Sequence, residues 1–198
     1  MMSQLQNEDC LGKQLLIMGD VNTGKTTLCR QWLVQLCQQG LGERISLIDM
    51  APYIPKALAL ERGIVGVGGS LMSPPDSGVL DLRTRLDAPR LSSKSEAQAM
   101  AKAVRNVNAI ETLLEQLPFS GRDILFINDV TLYLQAGYTA ELLKRIANAG
   151  VTTLVVNGYW GDRLGGGELT RREKAEMELL RQSFAMGGRV LALTHCYG

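Results

Sequence analysis

This chain of 198 residues is long enough for one α/β domain with a substantial core and too short for two ordinary domains. Its 21 basic and 20 acidic side chains nearly cancel, which excludes a global field able to gather nucleic acid or an anionic membrane. The first ten residues carry no apolar run like that of a signal peptide, and no segment reaches the length of a membrane span. Four cysteines without C-x-x-C spacing suit a reducing compartment. We therefore expect a cytoplasmic protein with a single domain over residues 1–198 and no membrane contact.

A phosphate-binding loop is the first motif in the chain. Residues 19–27 read GDVNTGKTT, which matches G-x-x-x-x-G-K-T, with a short apolar run before it and helical spacing after it. The glycines permit backbone angles at which successive amides cradle phosphates at a helix N-terminus. The sequence therefore predicts a nucleoside triphosphate site in which Lys25 contacts the β- and γ-phosphates and Thr26 offers its hydroxyl to Mg²⁺. The predicted nucleotide-binding residues are Gly19, Asp20, Val21, Asn22, Thr23, Gly24, Lys25, Thr26 and Thr27.

Apolar strands and amphipathic helices alternate along the chain. Strands are expected at residues 14–18, 45–49, 123–129, 151–156 and 189–193, and helices at residues 26–39, 95–117, 138–149 and 168–185. Residues 51–90 are rich in proline and glycine, so an insertion that is irregular or built of short strands and turns is expected there. Helices that alternate with fully apolar strands predict a three-layer α/β P-loop NTPase fold, with a mostly parallel central sheet covered by helices on both faces.

Two aspartates are candidates for the carboxylate that a phosphate loop needs near Mg²⁺. Asp49 ends the second expected strand and Asp129 ends the next one, and ligands bind at the carboxyl ends of parallel strands. The sequence does not show which of these strands lies nearer the loop. We assign Asp49 to the metal or to the role of general base and keep Asp129 as the alternative, and either residue could instead be a turn or helix-cap aspartate.

Basic residues form two further candidate groups. A glycine-rich hinge at residues 165–167 has Arg163 before it and Arg171 and Arg172 after it, which predicts an arginine-bearing lid in which Arg171 and Arg172 act on the transition state, unless residues 170–174 are an ordinary solvated helix face. Within the insertion and just after it, a second cluster could receive the phosphates or carboxylates of a second substrate, although solvated charge explains it as well. Its members are Arg83, Arg85, Arg90 and Lys94.

The order of these motifs resembles the P-loop polynucleotide 5′-hydroxyl kinase family, whose members phosphorylate RNA ends during RNA processing. The phosphate loop is close to that of the family, and Ile48-Asp49 followed by a proline and the glycine turn at residues 63–65 is similar in layout to its acidic strand end. Ile127-Asn128-Asp129 through Gly137-Tyr138 looks like the family's next strand end. The helix bearing Arg171, Arg172 and Arg181 is similar to its lid helix. The wider class includes GTPases that deliver metals to enzymes.

Three functions are consistent with these motifs. The resemblance implies an ATP- and Mg-dependent kinase, with an RNA 5′ end as one possible acceptor. A nucleotide-gated regulator that presents the insertion to a partner protein fits as well, as does a module that binds nucleotide without turnover. The strand end at residues 157–160 reads NGYW instead of the guanine-reading N-K-x-D, which favours ATP but leaves GTP possible. The acceptor and the oligomeric state are left open by the sequence.

Overall fold

The computed structural model describes residues 10–54, 60, 69–118 and 120–194. Its strands are β1 (Gln14–Gly19), β2 (Ile45–Asp49), β3 (Leu80–Arg83), β4 (Ile124–Asn128), β5 (Thr153–Tyr159) and β6 (Arg189–Leu193). Its helices are α1 (Lys25–Gln38), α2 (Pro89–Ser92), α3 (Glu96–Leu114), α4 (Thr131–Leu134), α5 (Thr139–Asn148) and α6 (Glu168–Gly187), with one 3-10 turn at Gly42–Arg44. None of the helices described is long and apolar enough to cross a membrane.

The six strands form one sheet in the order β3-β2-β4-β5-β1-β6, and every pairing between them is parallel. The strand β5 therefore lies between β1 and β4, and β2 lies one strand further out. Because neighbouring strands are about 4.8 Å apart, the end of β4 is roughly 10 Å from β1 and the end of β2 is roughly 14 Å from it. This order decides which strand ends can reach the phosphate loop.

Helices cover both faces of the sheet, as predicted. On one face, α1 packs Trp32 and Leu33 against strand residues that include Leu15 and Ile17. On the other face, α3, α4, α5 and α6 pack against the intervening strand residues. Alternate side chains of a strand point to opposite faces, so a strand buried on both faces must be apolar throughout. The result is the three-layer α/β fold of P-loop NTPases.

The expected elements are present, with three differences. The insertion contains the four-residue edge strand β3, which the expectation of short strands allows, and it ends in the short helix α2, which was not predicted. The four-residue helix α4 was also missed. The strand β5 runs to Tyr159 instead of residue 156, because Asn157 and Gly158 continue the pairing with β1. The glycine turn expected at residues 63–65 lies outside the described residues.

Candidate nucleotide-binding site

The phosphate loop lies between β1 and α1, with the backbone geometry that its sequence predicts. Gly24, immediately before the helix, has a φ of 87°, and Asn22 has a φ of 59°. At Gly19 a Cβ atom would lie 2.5 Å from the carbonyl oxygen of Leu193, so only glycine fits at the end of β1. Residues 21–27 line a cavity of about 290 Å³, which we call the nucleotide cavity.

Lys25 is directed at the loop itself. Its Nζ donates a hydrogen bond of 2.6 Å to the carbonyl oxygen of Asp20, which also accepts a bond of 2.9 Å from the Thr23 hydroxyl. Burial lowers the pKa of Lys25, and the nearby carboxylates of Asp129 and Asp20 partly offset this effect. A buried ammonium group with one carbonyl partner is well suited to exchange that partner for phosphate oxygens, which are stronger acceptors.

Asp129 lies in the same cavity as the phosphate loop. It follows directly after β4 and has a φ of 58°, which is uncommon for a residue other than glycine. Its backbone N–H donates to Oδ1 of Asn157 at 3.1 Å, and its carboxylate accepts a hydrogen bond from the Thr131 hydroxyl. Burial raises the pKa of Asp129, while Thr131 and the charge of Lys25 act in the opposite direction. A carboxylate held in place with increased proton affinity is suited to act as a general base.

Asn128 connects the phosphate loop to the neighbouring strand ends. Its side chain is fully buried. Its Oδ1 accepts from the Thr26 hydroxyl at 3.3 Å and from Nδ2 of Asn157 at 2.7 Å. Its Nδ2 donates to Oδ1 of Asp49 at 2.7 Å and to the carbonyl oxygen of Gly69 at 3.0 Å. The amide therefore uses both donors and both lone pairs, and it fixes Thr26 relative to three other segments.

Asp49 does not line the nucleotide cavity. Besides its bond from Asn128, it lies 3.6 Å from the Arg83 guanidinium and accepts a bond of 3.3 Å from the backbone N–H of Ala51. Its side chain is 4% exposed and lines a separate cavity of about 430 Å³ between the ends of β2 and β3. Asp49 thus reaches Thr26 through Asn128, and the metal role predicted for it stays a prediction.

The two predicted lid arginines lie on α6 and make contacts elsewhere. Arg171 is 73% exposed and pairs with Glu168, and Arg172 donates to the carbonyl oxygen of Ala136 at 2.9 Å and stacks on Tyr138. Neither residue lines the nucleotide cavity. Arg163 approaches the phosphate loop more closely, because its Nε lies 3.4 Å from Oδ2 of Asp20. The catalytic role of Arg171 and Arg172 stays a prediction.

Several residues of this cavity lie outside the predicted nucleotide-binding and catalytic residues. Asn157, Tyr159 and Leu164 line it together with the phosphate loop, and the Leu164 N–H donates to the Tyr159 hydroxyl at 3.0 Å. Asn157 could be recognised as a polar residue at the end of an apolar strand, and the same pattern marks Asn128. No signal in the sequence places Leu164 there, because its position depends on how the segment after β5 folds back over the loop.

The Thr26 hydroxyl fits a magnesium ion bound together with phosphates. It lines the nucleotide cavity and is a hard oxygen ligand, the type that Mg²⁺ prefers. Among the residues described, no group of three or more His, Cys, Asp or Glu side chains could hold a metal by itself. In the usual magnesium site of a phosphate loop, waters and phosphate oxygens supply most of the ligands.

No family model and no curated protein matches this chain. It is similar to solved structures that include the flagellar accessory protein FlaH from Methanocaldococcus jannaschii, at 9% identity and a TM-score of 0.48 over 91% of this chain and 70% of that one. A second is the Pif1 helicase from Candida albicans, at 14% identity and a TM-score of 0.42 over 98% of this chain and 39% of that one.

A third similar structure is an ATPase from the type III secretion system of pathogenic bacteria, at 12% identity and a TM-score of 0.40 over 93% of this chain and 52% of that one. Similarity at this level does not determine a family or an activity. None of the three is described as a polynucleotide kinase, so that resemblance stays a prediction.

Proposed function

We propose that this chain binds a nucleoside triphosphate with Mg²⁺ and cleaves the bond between the β,γ-bridging oxygen and the γ-phosphorus, as a P-loop phosphotransferase or triphosphatase. The observation that carries the proposal is the convergence of Lys25, Thr26 and Asp129 on the nucleotide cavity. These residues supply a cation for the phosphates, a hydroxyl for the metal and a candidate base. ATP is the preferred nucleotide, because residues 157–160 at the end of β5 lack the guanine-reading N-K-x-D motif, and GTP is the alternative.

The chemistry follows from these positions. An oxygen of water or of an acceptor alcohol attacks the γ-phosphorus, and the bond to the β,γ-bridging oxygen breaks with its electron pair leaving on the nucleoside diphosphate. Asp129 takes the proton of the attacking oxygen, and Lys25 holds the negative charge of the phosphates. The Thr26 hydroxyl would hold a bound Mg²⁺, which would further neutralise that charge.

The proposal is tested by calorimetric titration with Mg-ATP and Mg-GTP, followed by incubation with γ-labelled nucleotide. We expect saturable binding that requires Mg²⁺ and release of label from the nucleotide. A protein that binds neither nucleotide contradicts the proposal. A protein that binds nucleotide and releases no label over many hours is a binding module.

A second function, that of a nucleotide-gated regulator, is favoured by one contact. Through Asn128, the Thr26 hydroxyl is two hydrogen bonds away from the Gly69 carbonyl oxygen, which belongs to the region predicted to face a partner. A change in the bonding of Thr26 can therefore reach residues 69–70. In this case label is released slowly to water, and exchange of the Ser70 and Leu71 amides with solvent differs between the diphosphate and triphosphate states. Equal exchange in both states argues against regulation through this contact.

A further inference from the structure

Two additional cavities adjoin the nucleotide cavity and share Leu164 with it. The outer cavity has a volume of about 680 Å³ and lies between the α2–α3 segment and the loop that precedes α6. The inner cavity, of about 60 Å³, shares Arg90 and Leu91 with the outer one. The three cavities are therefore adjacent, in the order nucleotide, inner and outer.

Asp129 lies at the boundary between the nucleotide cavity and the inner cavity, because it lines both. A base for phosphoryl transfer must contact the attacking hydroxyl on the side away from the leaving group. The inner cavity offers room for a hydroxyl group in that position. Its remaining walls are mainly apolar, with Ile54, Leu91 and Leu132 among them, so they suit the carbon atoms next to such a hydroxyl.

Buried polar atoms of Gln135, Arg90 and Ser93 at these cavities have no hydrogen-bond partner among the described residues. Gln135 is 3% exposed, and its Nε2 donates to Glu173 at 2.9 Å while its Oε1 is unpaired. Arg90 has its Nη2 2.7 Å from the Glu173 carboxylate, while its Nε is buried and unpaired. A buried polar atom without a partner is unfavourable, so a ligand that pairs with it gains affinity. Gln135 can accept a bond from a ligand hydroxyl, and Arg90 can donate to a ligand oxygen.

Three cationic and two anionic side chains line the outer cavity, and most of them are already paired. Arg90 pairs with Glu173, Arg163 lies 3.4 Å from Asp20, and Glu168 pairs with Arg171, which leaves Lys94 and Glu96. The donor for an anion is therefore the Nε of Arg90, which has no partner among the described residues. The other walls of the outer cavity include the apolar side chains of Met100 and Leu169. A volume of this size falls in the range of small-molecule sites, about 300–1,000 Å³.

We propose that the inner and outer cavities bind the phosphoryl acceptor, and that the acceptor is a small organic anion carrying a hydroxyl group. The hydroxyl enters the inner cavity against Asp129 and Gln135, and the anionic group enters the outer cavity against Arg90. The hydroxyl oxygen forms a bond to the γ-phosphorus as the bond to the bridging oxygen breaks, and its proton passes to Asp129. The products are a phosphate monoester and the nucleoside diphosphate. This inference rests on the proposed function.

The test uses three probes that each have a four-carbon backbone ending in a hydroxyl group: 4-hydroxybutyrate, 4-hydroxybutyl phosphate and neutral 1,4-butanediol. Their binding to the full chain is measured by ligand-detected NMR, with the phosphate loop saturated by Mg²⁺ and β,γ-methylene ATP so that no probe enters the nucleotide cavity. We expect at least one anionic probe to bind about tenfold more tightly than butanediol, as a charge-assisted hydrogen bond predicts. The carboxylate and phosphate probes show which anionic group the pocket prefers.

Three variants locate the binding. Arg90→Lys keeps a charge beside Glu173 but removes Nε, and Met100→Trp fills the outer cavity. Each variant is expected to lower the affinity for the anionic probe about fivefold or more. Arg105→Gln is the matched control, because Arg105 lies on α3, is 60% exposed and pairs with Asp87 outside the cavity. The control is expected to bind the probe as the unmodified chain does.

Several results overturn the acceptor site. These are equal binding of all three probes, no binding of any probe, and binding that survives both Arg90→Lys and Met100→Trp. With γ-labelled ATP, label on the anionic probe supports the site, and label that appears only on a 5′-hydroxyl oligoribonucleotide overturns the small-molecule class. Nucleotide titration and label release without a probe test the proposed function alone, so the two failures are distinguishable.

Discussion

Replacing Asn128 by alanine tests the polar junction beneath the phosphate loop. The substitution removes four hydrogen bonds from a fully buried side chain. Two of the four partners recover easily, because the Gly69 carbonyl lies in an exposed residue and the Thr26 hydroxyl faces the nucleotide cavity. The other two, Asp49 and Asn157, are 4% and 2% exposed and lose a close partner. At about 1–2 kcal/mol for each buried partner, the free energy of unfolding should fall by roughly 2–4 kcal/mol.

The assay is urea unfolding followed by circular dichroism, with a thermal scan beside it. For a domain of this size the expected loss lowers the melting temperature by about 5–15 °C. Asn108→Ala is the control, because Asn108 is exposed on α3 and its substitution should change stability by no more than about 0.5 kcal/mol. If Asn128→Ala is as stable as Asn108→Ala, the four hydrogen bonds of Asn128 do not stabilise the fold.

Two further predictions concern the lysine of the phosphate loop and an ion pair at the amino ends of β2 and β4. Lys25→Ala should weaken Mg-ATP binding by roughly 1.5–3 kcal/mol in calorimetric titration, the value of a lost charged contact, and unchanged affinity would count against the site. Asp123 accepts two hydrogen bonds from Arg44, which lower its pKa to about 2. This pair stabilises the fold at pH values above about 4, the pKa of an aspartate in the unfolded chain. Because the pair is partly exposed and screened by solvent, Asp123→Asn should lower the free energy of unfolding by only about 1 kcal/mol at neutral pH. In urea unfolding, the difference should shrink as the pH falls from about 4 towards about 2, and a constant difference would refute this origin.

The sequence predicts the elements of this fold better than their arrangement. The phosphate loop and α1 are local features, because a glycine-rich loop between an apolar strand and a helix is specified by adjacent residues. Strand order is different, since it depends on which faces pack together across the whole chain. The sequence could not show that β5 separates β1 from β4, and so it could not rank Asp129 against Asp49 by distance from the loop.

The contacts of the predicted lid arginines could not be predicted from the sequence for the same reason. A glycine hinge followed by arginines was recognisable, but the direction of each side chain depends on neighbours distant in sequence. Arg172 reaches the Ala136 carbonyl because α4 lies beside α6, and Arg163 reaches Asp20 because the segment after β5 folds over the loop. The basic cluster predicted to meet a second substrate divides in a similar way. Arg83 faces Asp49 and Asp81, while Arg90 and Lys94 line the outer cavity.

We propose that Asp129 is the carboxylate that acts on the nucleotide. This assignment is tested by comparing Asp129→Asn with Asp49→Asn in single-turnover release of γ-label, with Mg-ATP affinity measured for both. Removal of a general base typically costs about 10²–10⁴-fold in rate. We predict that loss for Asp129→Asn with nucleotide affinity retained, and a much smaller loss for Asp49→Asn. If Asp49→Asn abolishes turnover while Asp129→Asn retains it, the assignment is wrong and the role belongs to Asp49.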